Sequence, residues 1–384
     1  MFLHLVDDSP QIKHLIQRTN EMFPKEHLFY VLIKTGKPKV VQSSDNVIPF
    51  IPDSENINIL LKDISNYKAV FVHNLEIKKS LIVLKAPKDL IFVWGIWGFD
   101  YYYVFPELSR NIFQPYTKTL NIILFKHSIL FRNFIYAIHP VSRFVGIKSN
   151  NRIREKAAKR INFTFNNLAN YSEVYKVIES DFNARFNGIY YSIEYISKGF
   201  NSSQKQLGNN IFIGNSASNS SNHFDIFLKL KNKVSINTKI IVPLSYGCLR
   251  YKRTINFIGK YIFKSQFLPL NKLLSLERYN EILSSCNVMI FNHNRAQAFG
   301  NIIIGAWAGH KIFLRKTNPI YKYFKSLGVT VFSIDEELVS ENLTALEIEL
   351  QNNNRQIIEV HYGEVKIREN YMEIINAINL IHNK

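Results

Sequence analysis

From Ile211 to Leu230 the chain reads IFIGNSASNSSNHFDIFLKL: a short apolar run, small polar residues from Gly214 to Asn222, then Phe224, Phe227 and Leu228 at helical spacing. That pattern predicts a strand, a tight loop and a helix. Asn222 or Ser221 is placed to accept from the first backbone N–H groups of the helix. Asp225, three residues past Asn222, approaches a capping-box arrangement. A helix start carries unpaired N–H groups and a partial positive charge, and small residues let a ligand approach the backbone, so a phosphorylated ligand is one reading. A serine-rich turn that caps a helix and binds nothing is the other. The loop is neither a Walker A sequence nor a GxGxxG fingerprint.

The same logic recurs at NRAQAFGNIIIGAWAG, Asn294 to Gly309, where a strand predicted over Val288–Asn292 runs into polar residues and a helix beginning near Phe299. Two helix starts are thus predicted to face one ligand, with Arg295 and Gln297 beside the second to meet a phosphate. Other strands are expected at Lys239–Pro243, Lys311–Leu314 and Thr330–Ile334. Helices are expected at Leu276–Leu283 and Asn318–Leu327. A final helix carries Ile367, Tyr371, Ile374, Ile375, Ile378 and Ile381 in one apolar stripe.

The first half starts in the same α/β manner. Phe2 to Val6 is an apolar strand, the DDSP turn leads into a helix with Ile12, Leu15, Ile16, Met22 and Phe23 on one face, and further strands are expected at Leu28–Ile33, Ala69–His73 and Leu90–Trp94. With 384 residues and a polar Ser197–Asn210 linker, the chain reads as an N-terminal Rossmann-like domain over 1–200, a second over 201–360 and a C-terminal amphipathic helix over 361–384. Hydrophobic residues make up 46% of the chain, which excludes a disordered protein. The two cysteines, Cys248 and Cys286, fit a reducing compartment better than a disulfide framework. The FLHLV after Met1 is too short for a signal-peptide core, so the protein is expected to stay in the cytosol.

Net charge is +18, which points to an anionic partner surface. From Arg110 to Arg160 eleven Lys and Arg face the single acid Glu155, and Ile122–Ile138 is apolar but broken by Lys126, His127, Arg132 and Asn133. An amphipathic segment lying in an anionic membrane surface fits; a solvated basic face over buried helices is the alternative. No nucleic-acid-binding motif accompanies the charge, so no nucleic-acid partner is expected.

VWGIWGFDYYY, Val93 to Tyr103, falls at the carboxyl end of a predicted strand, where open α/β sheets bind ligands. Its aromatics suit a sugar ring or a lipid, and Asp100 suits a general base. Equally, Trp94 and Trp97 can be core with Asp100 capping the next turn.

Taken together, Trp97, Gly98 and Asp100; Gly214, Asn215 and Ser216 with Ser221, Asn222 and His223; Val242, Pro243 and Tyr246; and Arg295, Gln297, Gly300, Ala308 and Gly309 resemble the TDP-N-acetylfucosamine:lipid II N-acetylfucosaminyltransferases, glycosyltransferase family 56. The likeness spans about Ile91 to Leu314. The loop Cys248–Arg253 departs from it by carrying Arg250, Lys252 and Arg253. The resemblance implies a GT-B fold, two Rossmann-like α/β domains facing a central cleft. It also implies inverting transfer of a 4-acetamido-4,6-dideoxyhexose from a thymidine diphosphate sugar to an undecaprenyl-linked saccharide in cell-surface glycan synthesis, as in enterobacterial common antigen. The protein would lie peripherally at the cytoplasmic face of the bacterial inner membrane.

On that reading Asp100 is the expected base, with Asp7, Asp8 and His73 in reserve, and Trp97 and Gly98 lie on the acceptor side. Gly214, Asn215, Ser216, Asn222, Tyr246, Arg295, Gln297, Gly300 and Asn301 hold the donor. No D-x-D metal motif occurs, so neither metal nor other cofactor is expected, and the helix starts with Arg295 would stabilise the leaving diphosphate. A GT-B enzyme with another nucleotide sugar is the nearest alternative. A non-catalytic basic membrane- or RNA-binding protein is the other.

Overall fold

Strands β1 (Phe2–Asp7), β4 (Ala69–His73) and β5 (Ile91–Gly95) are written FLHLVD, AVFVH and IFVWG. Such near-continuous apolar runs mark parallel strands covered on both faces, and nearly every residue in the three is buried. The computed structural model describes residues 1–104, 111–124, 150–166, 184–200, 208–339 and 343–383. Most of the basic Ile122–Ile138 stretch and part of the Ser197–Asn210 linker lie outside them.

The described residues form two α/β units. In the first, β1, β4 and β5 join β2 (His27–Leu32), β3 (Val47–Phe50), β6 (Phe163–Asn166) and β7 (Ala184–Asn187) in a parallel sheet of order β3-β2-β1-β4-β5-β6-β7. The second holds β8 (Asn210–Ile213), β9 (Ile240–Pro243), β10 (Phe267–Leu270), β11 (Cys286–Phe291), β12 (Lys311–Leu314) and β13 (Phe332–Ser333), ordered β10-β9-β8-β11-β12-β13. Its pairings too are parallel. Both are doubly wound sheets whose winding reverses between the first and fourth strands, at β1/β4 and at β8/β11. Ligands of open α/β sheets bind outside the carboxyl ends of the strands at such a reversal. Among the described residues no helix is long and apolar enough to cross a membrane.

The division into units differs from a split at residue 200. The first unit comprises Met1–Ser109, Ile147–Ser192 and Glu364–Lys384, the second Arg110–Gly146 and Ile193–Gly363. The final helix, Glu364–His382, is therefore part of the first domain and not an appendage. Its Tyr371, Ile374, Ile375 and Ile378 share a core with Phe2, Val6, Phe71 and Val93. A second tie is electrostatic. Arg18 Nε and Nη2 bond the two carboxylate oxygens of Glu364 at 2.6 and 2.8 Å, while Nη1 donates to the Ile189 carbonyl at 2.6 Å. Sequence periodicity shows the stripe on this helix but not which sheet receives it.

His4 interrupts β1 with a polar side chain that is fully buried. It is satisfied by a chain of hydrogen bonds: His4 Nε2 to His27 Nδ1 at 2.7 Å, His4 Nδ1 to His73 Nε2 at 2.9 Å, and His73 Nδ1 to Tyr190 Oη at 2.7 Å. Burial, with the neighbouring imidazoles adding to it, holds His4 well below the usual histidine pKa, so it stays neutral.

Burial alone would raise the Glu364 carboxyl, but hydrogen bonds from His14, Arg18 and Ser192 outweigh it and hold it below the usual range. A carboxyl depressed in the folded state contributes stability that is full above its unfolded pKa, about 4.3, and lost as pH falls below that. Glu364→Gln, which leaves Arg18 buried without its counter-charge, should cost about 3 kcal/mol at pH 7 and less at pH 3. Urea unfolding at the two pH values measures this; an unchanged midpoint at pH 7 would show the pair to be dispensable.

Candidate functional site

At the β8/β11 reversal the two polar loops foreseen in the sequence do meet. Gln297 spans them: its Nε2 donates to Asn215 Oδ1 at 2.9 Å, and its Oε1 accepts from Ser220 Oγ at 2.6 Å and Arg295 Nε at 3.0 Å. Asn215 Nδ2 donates onward to Tyr246 Oη at 3.1 Å, and Ser216 Oγ to Asn215 Oδ1 at 3.4 Å. The loop after β9 joins through backbone bonds, Ala217 N to Tyr246 O at 2.8 Å and Cys248 N to Ala217 O at 2.9 Å. Asn215, Ser216, Tyr246, Arg295 and Gln297 thus form one cluster.

Local conformation explains the residue types. Gly214 has φ +72°, and a Cβ there would sit 2.6 Å from His223 Nε2, so only glycine fits. Ala298, with φ +64°, turns the chain into the helix Phe299–Ala308, which carries Gly300 in its first turn. Asn301 lies in the same turn, but its Nδ2 is donated to Tyr279 Oη at 2.9 Å.

No acid occurs in Gly214–Asn222, Leu244–Arg250 or Asn292–Gly300, while Arg295 supplies a cation. Burial brings His223 down to about 3, and burial, then Arg295 and His223, push His293 well below the usual value, so both imidazoles are neutral. Acid-free loops with a helix start and the Arg295 guanidinium suit an anion such as a diphosphate. Among the described residues no group of three or more His, Cys, Asp or Glu is placed to hold a metal ion.

Asn222 is a correction. It adopts φ +50° and makes no capping bond. Instead its Oδ1 accepts from Gln114 N at 2.9 Å and its Nδ2 donates to the Ile112 and Asn292 carbonyls at 3.0 Å each, so its side chain is spent inside the protein. Asp225, expected in a capping box of its own helix, serves another: Tyr116 N and Thr117 N donate to it at 2.9 and 2.8 Å, capping the helical residues 115–124. Pairing between segments a hundred residues apart leaves no local sequence signal.

In the first unit the other predicted residues lie at or just past the carboxyl ends of β1, β4 and β5. Asp100 is 1% exposed. Its Oδ2 accepts from Trp94 Nε1 at 2.8 Å and Leu75 N at 3.2 Å, and its Oδ1 from Trp97 N at 3.0 Å. Burial pushes its carboxyl up and these bonds oppose the rise. Both oxygens are engaged, so in this geometry Asp100 fixes the turn between β5 and the following helix and is not presented to a substrate proton. His73 is closed off in the imidazole chain. Asp8 is occupied by the backbone N–H groups of Lys39, Val40 and Val41. Trp97 Nε1 donates to Tyr190 Oη at 2.8 Å, and Gly98, φ +90°, shapes the turn.

Asp7 differs. Lys79 Nζ, at 2.9 Å, and Asn74 Nδ2 both donate to its Oδ2, and its side chain is 30% exposed. Lys79 is wholly buried and also donates to the His73 carbonyl at 2.7 Å. Burial lowers its pKa while Asp7 raises it. Sequence reading passed over Lys79, whose only signal is a lysine on the apolar face of the helix Ile77–Lys85.

Known structures share this architecture across the whole chain. It is similar to Anabaena HepE, solved with UDP-glucose, with TM-score 0.64 and 11% identity over 98% of this chain and all of that one. It is also similar to a sucrose-phosphate synthase from Thermosynechococcus elongatus, with TM-score 0.61 and 8% identity over 99% and 100%. A Rickettsia africae glycosyltransferase gives 0.59 and 11% over 98% of each chain. At these identities the likeness shows the fold, which is GT-B. Residues 149–373, more than half of the chain, match the family model of the 4-alpha-L-fucosyltransferases, glycosyl transferase group 56, and the chain belongs to that family of glycosyltransferases.

Proposed function

We propose that the protein transfers a 4-acetamido-4,6-dideoxyhexose, N-acetylfucosamine-like, from a thymidine diphosphate sugar to an undecaprenyl-diphosphate-linked saccharide with inversion. The work is done at the cytoplasmic face of the bacterial inner membrane. The observation that carries the reading is the pair of acid-free loops after β8 and β11, where Gln297 ties Asn215 to Ser220 and Arg295 beside a helix start. That is an arrangement for a diphosphate. HepE, of the same fold, was solved with UDP-glucose, which makes a uridine donor the alternative to test.

In an inverting step a base removes the acceptor hydroxyl proton, the oxygen attacks the anomeric carbon, and the bond to the diphosphate breaks on the opposite side. Asp7 is the base in this proposal: the contacts from Asn74 and Lys79 both use its Oδ2. Asp100 acts as a positioning residue through Trp94 and Trp97. Arg295 and the helix start at Phe299 take the negative charge of the departing diphosphate, so no metal is assigned to the step.

Thermal unfolding with millimolar TDP, UDP, GDP, ADP and CMP tests the donor. A nucleotide at 100 times its Kd adds about 2.7 kcal/mol to the folded state, and TDP should raise Tm most. Arg295→Ala should weaken the bound nucleotide about 10- to 100-fold, as expected for a charged hydrogen bond of roughly 1.5 to 3 kcal/mol. A shift with UDP alone discards the thymidine donor, and no shift with any nucleotide discards these loops as the donor site.

Asp7→Asn should keep the nucleotide shift and lower turnover about 100-fold or more, whereas Asp100→Asn should mainly lower Tm. An active Asp7→Asn enzyme beside a well-folded, inactive Asp100→Asn enzyme would return the base to Asp100. Transfer should persist in excess EDTA; its loss and recovery with a divalent cation would give the diphosphate to a metal.

A further inference from the structure

From Ile226 to Leu276 the chain contains no aspartate or glutamate and ten Lys or Arg. The centre of the stretch is the helix Leu249–Phe263. Its Tyr251, Ile255, Gly259 and Phe263 are buried, and a Cβ on Gly259 would meet the Phe267 ring at 2.3 Å, so that face is pressed against the sheet. At 3.6 residues per turn, Arg250, Arg253, Phe257, Lys260, Tyr261 and the following Lys264 fall within an arc of about 100° on the opposite side. All six are exposed, Phe257 and Tyr261 at 73% and 77%.

The patch continues past this helix. Arg250 Nη1 donates to the Leu124 carbonyl at 2.6 Å, which brings in residues 115–124, where Ile122 and Ile123 are exposed. Leu249, 58% exposed, adds to it. Large side chains that would gain by leaving water therefore stand among cations on one face, within one unit.

We propose that this face docks the enzyme on an anionic lipid bilayer, the aromatic and aliphatic side chains entering the interface and the cations meeting the headgroups. Charge complementarity selects the partner, since 51 residues without an acid repel no anionic surface. The interleaved apolar residues select lipid over nucleic acid, whose phosphates need cations and leave Ile122, Ile123 and Leu249 without a role. The inference deepens the proposed peripheral location by giving it a surface. It is carried by the helix Leu249–Phe263, not by the basic run at 125–149, which lies outside the described residues.

Co-sedimentation of the full chain with vesicles tests it, without donor or acceptor. Vesicles of phosphatidylcholine with 30% phosphatidylglycerol should bind the protein at least tenfold more tightly than phosphatidylcholine alone, with binding weakened by salt. A cation at an anionic surface is worth about fivefold in partition, so the Arg253→Glu/Lys260→Glu variant should lose tenfold or more. Phe257→Ser/Tyr261→Ser should lose a similar factor that persists at high salt. Both variants alter exposed positions and should keep the wild-type Tm and nucleotide shift, so failure of the donor reading is scored separately. Wild-type binding by both variants, no preference for anionic vesicles, or displacement from vesicles by a single-stranded RNA at equal phosphate would each overturn the proposal.

Discussion

Strands β8 and β11 run parallel and adjacent although 72 residues separate the end of one from the start of the other. From β8 the winding proceeds outward to β9 and β10; from β11 it proceeds the other way to β12 and β13. The loops that leave their carboxyl ends diverge, and the gap between them is where Asn215, Ser220, Arg295 and Gln297 converge. Everything proposed for the donor depends on that pairing. A glutamine, neutral and able both to donate and to accept, can bridge the loops without bringing a carboxylate to a place that must tolerate phosphate.

The first sheet reverses in the same way at β1/β4 but fills the position differently. There a buried lysine, a carboxylate and an asparagine satisfy one another, and beneath them three histidines and Tyr190 form a closed hydrogen-bonded file. Trp97 Nε1 can only donate, so Tyr190 Oη accepts from it and also bonds His73 Nδ1. In each neutral ring one nitrogen donates and the other accepts, so the His73–His4 and His4–His27 bonds are coupled. One tautomer at the first ring dictates the others, which makes the file a specifier of packing in a core that is otherwise apolar.

Much of this was legible in the sequence. The apolar runs locate β1, β4, β8, β11 and β12 to within two residues, because parallel strands buried on both faces leave no polar alternation to confuse them. Gly214 and Gln297 were legible as parts of two polar loops, which meet through Gln297 and Asn215. So was the alternative in which Asp100 caps the turn after β5, as its bond from Trp97 N shows. The roles of Asn222 and Asp225 were not. Each is a short polar side chain with partners from outside its own turn, Ile112 and Tyr116 among them. A local rule assigns such residues to the nearest helix start or to solvent. The domain boundary failed for a similar reason, since the Arg18–Glu364 pair joins residues 346 apart.

That pair bears on the order in which the protein is made. A nascent chain that has reached Gly363 holds every residue of the second unit, Arg110–Gly146 and Ile193–Gly363, but not the first unit's last 21 residues. The domain that starts the sequence is thus the last to be completed. Until Glu364–His382 leaves the ribosome, Arg18 lacks its carboxylate and the apolar face shared by Phe2, Phe71 and Tyr371 stays uncovered. At roughly 5–20 residues per second, synthesis leaves that surface open for many seconds, a window in which an early-emerging domain depends on chaperones or on its own slow collapse.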